Sequence, residues 1–214
     1  MSDIKLVIFD FDGTIADTMD LGLSIANILA VKYGYRTVTK EELINYRNLA
    51  TRDALKSVGI SFLQLPLIAR DFRRELNKKI ELLKPVKGIT GVISQLHLSE
   101  CMVGILTSNS TKNVTSFLDR NSMREMFHFI QPQKSLFDKS KTLKSIVKGY
   151  RFHSYEVLYV GDETRDIEAA KKSNIPVASV CWGLNTKKVL MKHKPDYLIE
   201  SPSRLLDLVH NQFK

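Results

Sequence analysis

Residues 6–14 read LVIFDFDGT: four apolar residues in a row, then Asp10 and Asp12 on either side of Phe11, then Gly13 and Thr14. Leu6, Val7, Ile8 and Phe9 show no polar alternation. They therefore suit a strand covered on both faces, as in a parallel sheet flanked by helices. Asp10 and Asp12 would then sit at the carboxyl end of the strand, where open α/β sheets place their ligands. Two carboxylates this close repel each other and are costly to keep ionised without a cation, and Mg²⁺ is the oxygen-seeking partner that fits. The plainer alternative is a strand that ends in a solvated acidic turn.

Three further segments weigh against that alternative. Val103-Gly104-Ile105-Leu106 is a second apolar run and ends on Thr107-Ser108-Asn109. Val157-Leu158-Tyr159-Val160 is a third, ending on Gly161-Asp162 with Asp166 four residues further on. Between them the stretch Asp138-Lys139-Ser140-Lys141-Thr142-Leu143 opens a helical pattern. Each strand end delivers small polar or acidic groups to one edge of a sheet.

Taken in chain order, the aspartate pair, the hydroxyl, the lysine and the second acid pair resemble the four motifs of the haloacid dehalogenase-like phosphohydrolases. The likeness runs from about Lys5 to the C-terminus and is to the branch that contains phosphoglycolate phosphatases. It implies an aspartyl-phosphate mechanism, with Asp10 as nucleophile. Asp12 would be the acid that protonates the leaving alcohol and the base that then activates water. Dehalogenases lack that second aspartate, because a departing halide needs no proton. Thr107, with Ser108 and Asn109 beside it, would donate to the phosphoryl oxygens. The same run also suits a helix N-cap.

One lysine would neutralise the phosphoryl group. Lys139 matches the motif better than Lys141, although Asp138 stands where glycine is usual and the Lys-Pro form common in phosphoglycolate phosphatases is missing. Mg²⁺ would be held by Asp10, Asp162 and the backbone carbonyl of Asp12. Asp166 would either join the metal or accept from its water or the lysine. Glu163 is expected to be an exposed acid at a helix start.

The remaining pattern supports an α/β fold with a doubly wound, Rossmann-like parallel sheet. Expected strands are Leu6–Phe9, Val103–Leu106, Phe129–Gln131, Val157–Val160, Val177–Cys181 and Tyr197–Ile199, with helical segments between most of them. Residues 18–84 break the rhythm. Leu21, Ile25, Ile28 and Leu29 share one helical face, and Ile68, Phe72, Leu76 and Ile80 step by four. The expectation is a four-helix cap subdomain over 18–84, inserted in a core of residues 1–17 and 85–214, with the apolar stripes forming the cap's own core. Arg47 and Arg52, in the segment Arg47-Asn48-Leu49-Ala50-Thr51-Arg52, fall where the resembled family selects substrates. Either could bind a distal substrate anion or could lie on the solvated surface.

Composition narrows the partners. The chain has 214 residues, 43% of them hydrophobic and 26% charged, as in an ordinary globular protein. No apolar stretch reaches membrane-spanning length, and the start MSDIK lacks the features of a signal peptide. Cys101 and Cys181 are far apart, outside any disulfide or zinc spacing. A cytoplasmic location with no membrane partner is expected. The net charge of +9 comes from dispersed basic residues. Such a balance attracts anions in general, and no nucleic-acid motif accompanies it. A Mg²⁺-dependent phosphatase of a small phosphorylated metabolite is therefore expected. The rivals are a phosphosugar mutase of the same fold and a basic nucleic-acid-binding or 3′-phosphatase protein.

Overall fold

The computed structural model describes residues 4–99, 101–133 and 139–210. Six strands form one parallel sheet: β1 (Leu6–Phe9), β2 (Met102–Thr107), β3 (Phe129–Pro132), β4 (Val157–Gly161), β5 (Val177–Val180) and β6 (Tyr197–Ile199). Their order is β3-β2-β1-β4-β5-β6. β1 is central, with Leu6 opposite both Met102 and Val157 and Phe9 opposite both Ile105 and Val160. All four of its residues are buried. Successive side chains of a strand point to opposite faces, and β1 serves two cores in this way. Val7 and Phe9 pack with α5 (Ile89–Leu98), α6 (Thr111–Arg120) and α10 (Arg204–His210). Leu6 and Ile8 pack with α7 (Lys139–Tyr150), α8 (Thr164–Lys172) and α9 (Lys187–Lys192). Coverage on both faces is why the run LVIF carries no polar alternation.

From β1 the chain winds one way through β2 and β3, and the other way through β4 to β6. The crevice at such a reversal lies outside the carboxyl ends of the strands. Asp10, Thr107 and Asp162 all stand at that edge, as the last residue of β2 or the first after β1 and β4.

Between β1 and β2 the chain forms α1 (Met19–Tyr33), α2 (Lys40–Arg47), α3 (Thr51–Ser57) and α4 (Leu65–Lys78). Its outgoing and returning passages pair with each other. Asp17 N–H donates to Lys84 O (2.9 Å), and Val86 N–H donates to Ile15 O (2.8 Å). α2 begins in a capping box, with Thr39 accepting from Glu42 N–H and Glu42 from Thr39 N–H.

The apolar stripes behave unequally. Ile68, Leu76 and Ile80 are buried and Phe72 is half-buried, as the four-residue step requires. In α1, Ile25 and Leu29 are buried, but Ile28 is half exposed and is not a core residue. At about 100° per residue, Ile28 lies on the far side of Ile25 from Leu29 and Ala30, the arc that α1 buries. α2 and α3 bury no residue at all.

The packing of α1 on α4 includes a group that the hydrophobic pattern conceals. Asp71 is fully buried. Its carboxylate accepts from Lys32 Nζ (2.5 Å), Tyr33 Oη (2.7 Å) and Arg70 Nε (3.1 Å). The hydrogen bonds from Lys32 and Tyr33 hold its pKa well below the usual carboxylate range. A carboxyl depressed on folding stabilises above its unfolded pKa of about 3.9, and that stabilisation is lost as pH falls through the folded value. Asp71→Asn should therefore lower the urea midpoint at pH 7, and its gap from wild type should narrow progressively as pH falls below about 4. A gap that ignores pH would assign Asp71 to packing alone.

Candidate active site

The turn after β1 is tight. Phe11 O accepts from the N–H groups of Ile15 (2.9 Å) and Ala16 (3.0 Å), and Gly13 has φ +76°. Phe11 points into the core, edge-on to Phe117 with ring centroids 5.0 Å apart. With Phe11 turned inward, Asp10 and Asp12 face the crevice. A Cβ on Gly13 would collide with the carboxylate of Asp162, so only glycine fits the turn.

Asp10 is buried and takes two donors: Phe11 N–H to Oδ1 (2.8 Å) and Lys139 Nζ to Oδ2 (2.6 Å). Lys139, at the first turn of α7, is itself buried and also donates to Asp166 Oδ1 (2.5 Å). Its ammonium lies 5.4 Å from the centroid of the Tyr159 ring. Lys141 is exposed, so Lys139 is the lysine at this site; Asp138 lies outside the described residues. Asp166 further accepts from Tyr159 Oη (3.2 Å) and Glu163 N–H (3.1 Å). That places it as the anchor of Lys139 and of the start of α8. Asp162 is held by Thr14 Oγ1 (2.9 Å) and Leu184 N–H (2.6 Å).

Five acids (Asp10, Asp12, Asp162, Glu163 and Asp166) meet three cations, Lys139, Arg165 and Arg73, around this crevice. Burial pushes the Asp10 carboxyl up to about 6, against the pull of Lys139. Burial, then the charge of Asp10, pushes Asp12 up to about 7. Asp162 is driven well above the usual range by burial and by Glu163, Asp166 and Asp10. Burial would raise Asp166 too, but Lys139 and Arg165 hold it below its ordinary value. Carboxylate oxygens of Asp10, Asp162 and Asp166 all lie within 4.8 Å of one another. An excess of hard oxygen donors short of positive charge fits a divalent cation such as Mg²⁺.

At the end of β2, Thr107 is buried and its Oγ1 accepts from Asn109 N–H (2.9 Å). The cap of α6 is Ser110, which accepts from Asn113 N–H (3.2 Å), so Thr107 is left facing the site edge. Asn109 Nδ2 lies 3.3 Å from both oxygens of Asp12, while its Oδ1 accepts from Ser110 N–H and Asn113 Nδ2. Ser108 lines the crevice, and its carbonyl accepts from Arg73 (2.9 Å).

One expectation is corrected, and the two arginines left open are placed. Glu163 is buried, not exposed: Thr51 Oγ1 donates to it (2.9 Å), Arg165 pairs with it, and its backbone caps α8. Arg47 does not face a substrate-sized space. Its Nε and a terminal nitrogen donate to Leu184 O and Gly183 O, both at 2.9 Å, which straps the α2–α3 loop to the loop after β5. Arg52 is exposed and borders a crevice of about 10 Å³ beside Lys139, Arg165 and Glu168, with room for at most one water. The arginine that reaches the main crevice from the inserted helices is Arg73. It lines a cavity of about 260 Å³ with Asp12, Ser108, Asn109 and Arg165. In sequence, Arg73 is half of a basic doublet on a polar helix face, which gives no sign of its role. Gly183 and Leu184 carry no sequence signal either.

The model of the haloacid dehalogenase-like hydrolases matches residues 7–180. The chain belongs to this family. It is 32% identical over 206 residues to a phosphoglycolate phosphatase of Synechococcus elongatus, covering 96% of this chain and 97% of that one. It is 23% identical to pyrophosphatase PpaX of Bacillus cereus, covering 97% of each. A haloacid dehalogenase-like family hydrolase from Streptococcus pneumoniae shares the fold, with a TM-score of 0.79 at 18% identity over 97% of this chain and 99% of that one. The chain is thus an enzyme of the phosphatase class within this hydrolase family. No helix among the described residues is long and apolar enough to cross a membrane.

Removing Lys139 strands two buried carboxylates against each other. Lys139→Met should cost about 3–5 kcal/mol of stability at pH 7, the usual penalty for breaking a buried pair. Asp10 already titrates above its unfolded value, so the cost of its charge is felt at pH 7 and relieved as pH falls below its folded pKa. The deficit should shrink towards pH 5 in urea titrations. An unchanged midpoint at pH 7 would show that the ion pair is dispensable to the fold.

Proposed function

We propose that the protein is a Mg²⁺-dependent phosphatase that hydrolyses a small phosphate monoester in the cytoplasm. In this reading residues 18–84 act as a helical cap on a core of residues 1–17 and 85–214. The observation that carries it is the unequal treatment of two neighbouring carboxyls. Asp10 is paired with Lys139 at 2.6 Å, while Asp12 faces the side-chain amide of Asn109 at 3.3 Å. Two carboxyls whose environments separate their roles are what a nucleophile and an acid–base partner need.

The Asp10 carboxylate attacks phosphorus, and the bond to the leaving oxygen breaks. Asp12, held near neutrality by burial, gives that oxygen its proton. Asp12 then takes a proton from water, the water oxygen attacks phosphorus, and the phosphorus–Asp10 bond breaks to release phosphate. Thr107, whose hydroxyl accepts from Asn109 N–H and keeps its own hydrogen to give, donates with Ser108 to the phosphoryl oxygens as charge spreads over them, while Asn109 orients Asp12 beside them. Lys139 keeps Asp10 ionised and oriented, and Asp166 keeps Lys139 in place. Mg²⁺, held by Asp10, Asp162 and the Asp12 carbonyl, would offset the repulsion between the nucleophile and the anionic phosphoryl group.

Asp10→Asn should cut the release of phosphate from p-nitrophenyl phosphate by more than about a thousandfold with an unchanged circular dichroism spectrum. Retained hydrolysis would remove Asp10 as nucleophile. Excess chelator should abolish activity, magnesium should restore it, and Ca²⁺, with its larger and looser shell, should inhibit. Turnover to free phosphate without any added sugar separates this reading from a phosphosugar mutase.

A further inference from the structure

A bundle of four short helices normally fills its interior with side chains, whereas here α2 and α3 bury none. Beside the core that α1 and α4 share, the four helices line an open cavity of about 350 Å³, within the size range of small-molecule pockets. Leu23, Ala26, Leu43, Ala54, Leu55 and Phe72 supply much of its wall. It opens onto Asp12, Gly13 and Asp162, the same edge that holds the candidate nucleophile.

Away from the catalytic edge, the tyrosine, amide and guanidinium groups of this wall are committed to one another or to backbone. Tyr35 Oη donates to Ala26 O (2.6 Å), and Asn27 both donates to and accepts from Val38 backbone (2.8 and 2.9 Å). Arg36 is the one Lys or Arg among the described lining residues; it pairs with Glu42 and donates to Tyr46 Oη (2.9 Å). An anionic tail entering here would lose its water without gaining an uncommitted cation. An apolar tail would take the apolar wall of this open cavity, and its own surface, out of water.

We infer that the cavity binds the apolar part of an amphiphilic phosphate monoester, whose phosphoryl group lies at Asp10. This rests on the phosphatase reading for the placement of the head group, and it adds that the leaving alcohol carries an alkyl or aryl tail.

Binding of methyl-, butyl- and hexylphosphonate, measured by calorimetry with magnesium present, tests the cavity without turnover. Kd should fall about two- to fourfold per methylene, the scale set by burying a CH₂ group. Ala54→Phe, which fills the space from α3, should flatten that dependence, as should Leu43→Asn, which places a polar group in the wall. Equal affinity for the three phosphonates would overturn the inference. A slope that survives in both variants would overturn it as well, because the tail would lie elsewhere. Hydrolysis of p-nitrophenyl phosphate judges the phosphatase reading separately. A flat phosphonate series in an active phosphatase removes only the tail site. A steep series in a protein that hydrolyses nothing keeps the apolar site and removes the hydrolytic reading.

Discussion

Lys139 is buried between Asp10 and Asp166, and the rest of the site is arranged around that constraint. A desolvated ammonium is tolerated only with full compensation, and the two carboxylates supply it. Each of them is fixed by a different strand. Asp10 follows β1, and Asp166 lies one helical turn into α8, behind β4. The side chain of Lys139 thus ties the start of α7 to both halves of the sheet, across the point where strand order reverses. Tyr159 closes the back of the site, with its ring beside the ammonium and its hydroxyl on Asp166.

Lys139, Arg165 and Arg73 do not balance five acids, and the imbalance is concentrated where Asp162 sits. Its oxygens already accept from Thr14 and Leu184, yet burial among like charges drives its pKa well up. Such a position is stable only with a proton or a cation. The chain as a whole carries +9, so the acidic crevice is set in a basic protein. That field favours the approach of anionic substrates at low salt and weakens over about a Debye length as salt rises.

The inserted helices are joined to the sheet by polar contacts. Besides the paired passages at residues 15–17 and 84–86, the α2–α3 loop is strapped to the loop after β5. Arg47 donates to Gly183 and Leu184, and Asn185 donates to the carbonyls of Arg47 and Leu49. Thr51 reaches Glu163 and Thr164 at the start of α8. These hydrogen bonds supplement a shared apolar core, in which Ile25, Leu29, Ile68 and Leu76 of the inserted helices join one buried cluster with Phe11, Val114 and Phe117. Inside the insert, the stripes of α1 and α4 are buried as a core at Ile25, Leu29, Ile68 and Leu76, while α2 and α3 turn their apolar residues to the wall of a cavity.

The sheet could be read directly from the sequence, because strands buried on both faces must be apolar throughout and because Asp10, Asp12, Thr107, Asp162 and Asp166 follow their ends at short range. The order of these segments along the chain places them on one edge. Lys139 was distinguishable from Lys141 only by resemblance, since two lysines on the first turn of a helix look alike until one is buried. The fates of Arg47, Arg73, Asp71 and Glu163 were decided by tertiary structure alone. Each has partners more than thirty residues away, and local periodicity records only whether a residue is polar. Whether a long charged side chain ends in solvent, on a backbone carbonyl or in a cavity depends on which distant segment packs against it. Hydrophobic spacing likewise fixed which helix faces turn inward, but how closely the helices approach depends on tertiary packing, and that distance separates a filled core from a pocket.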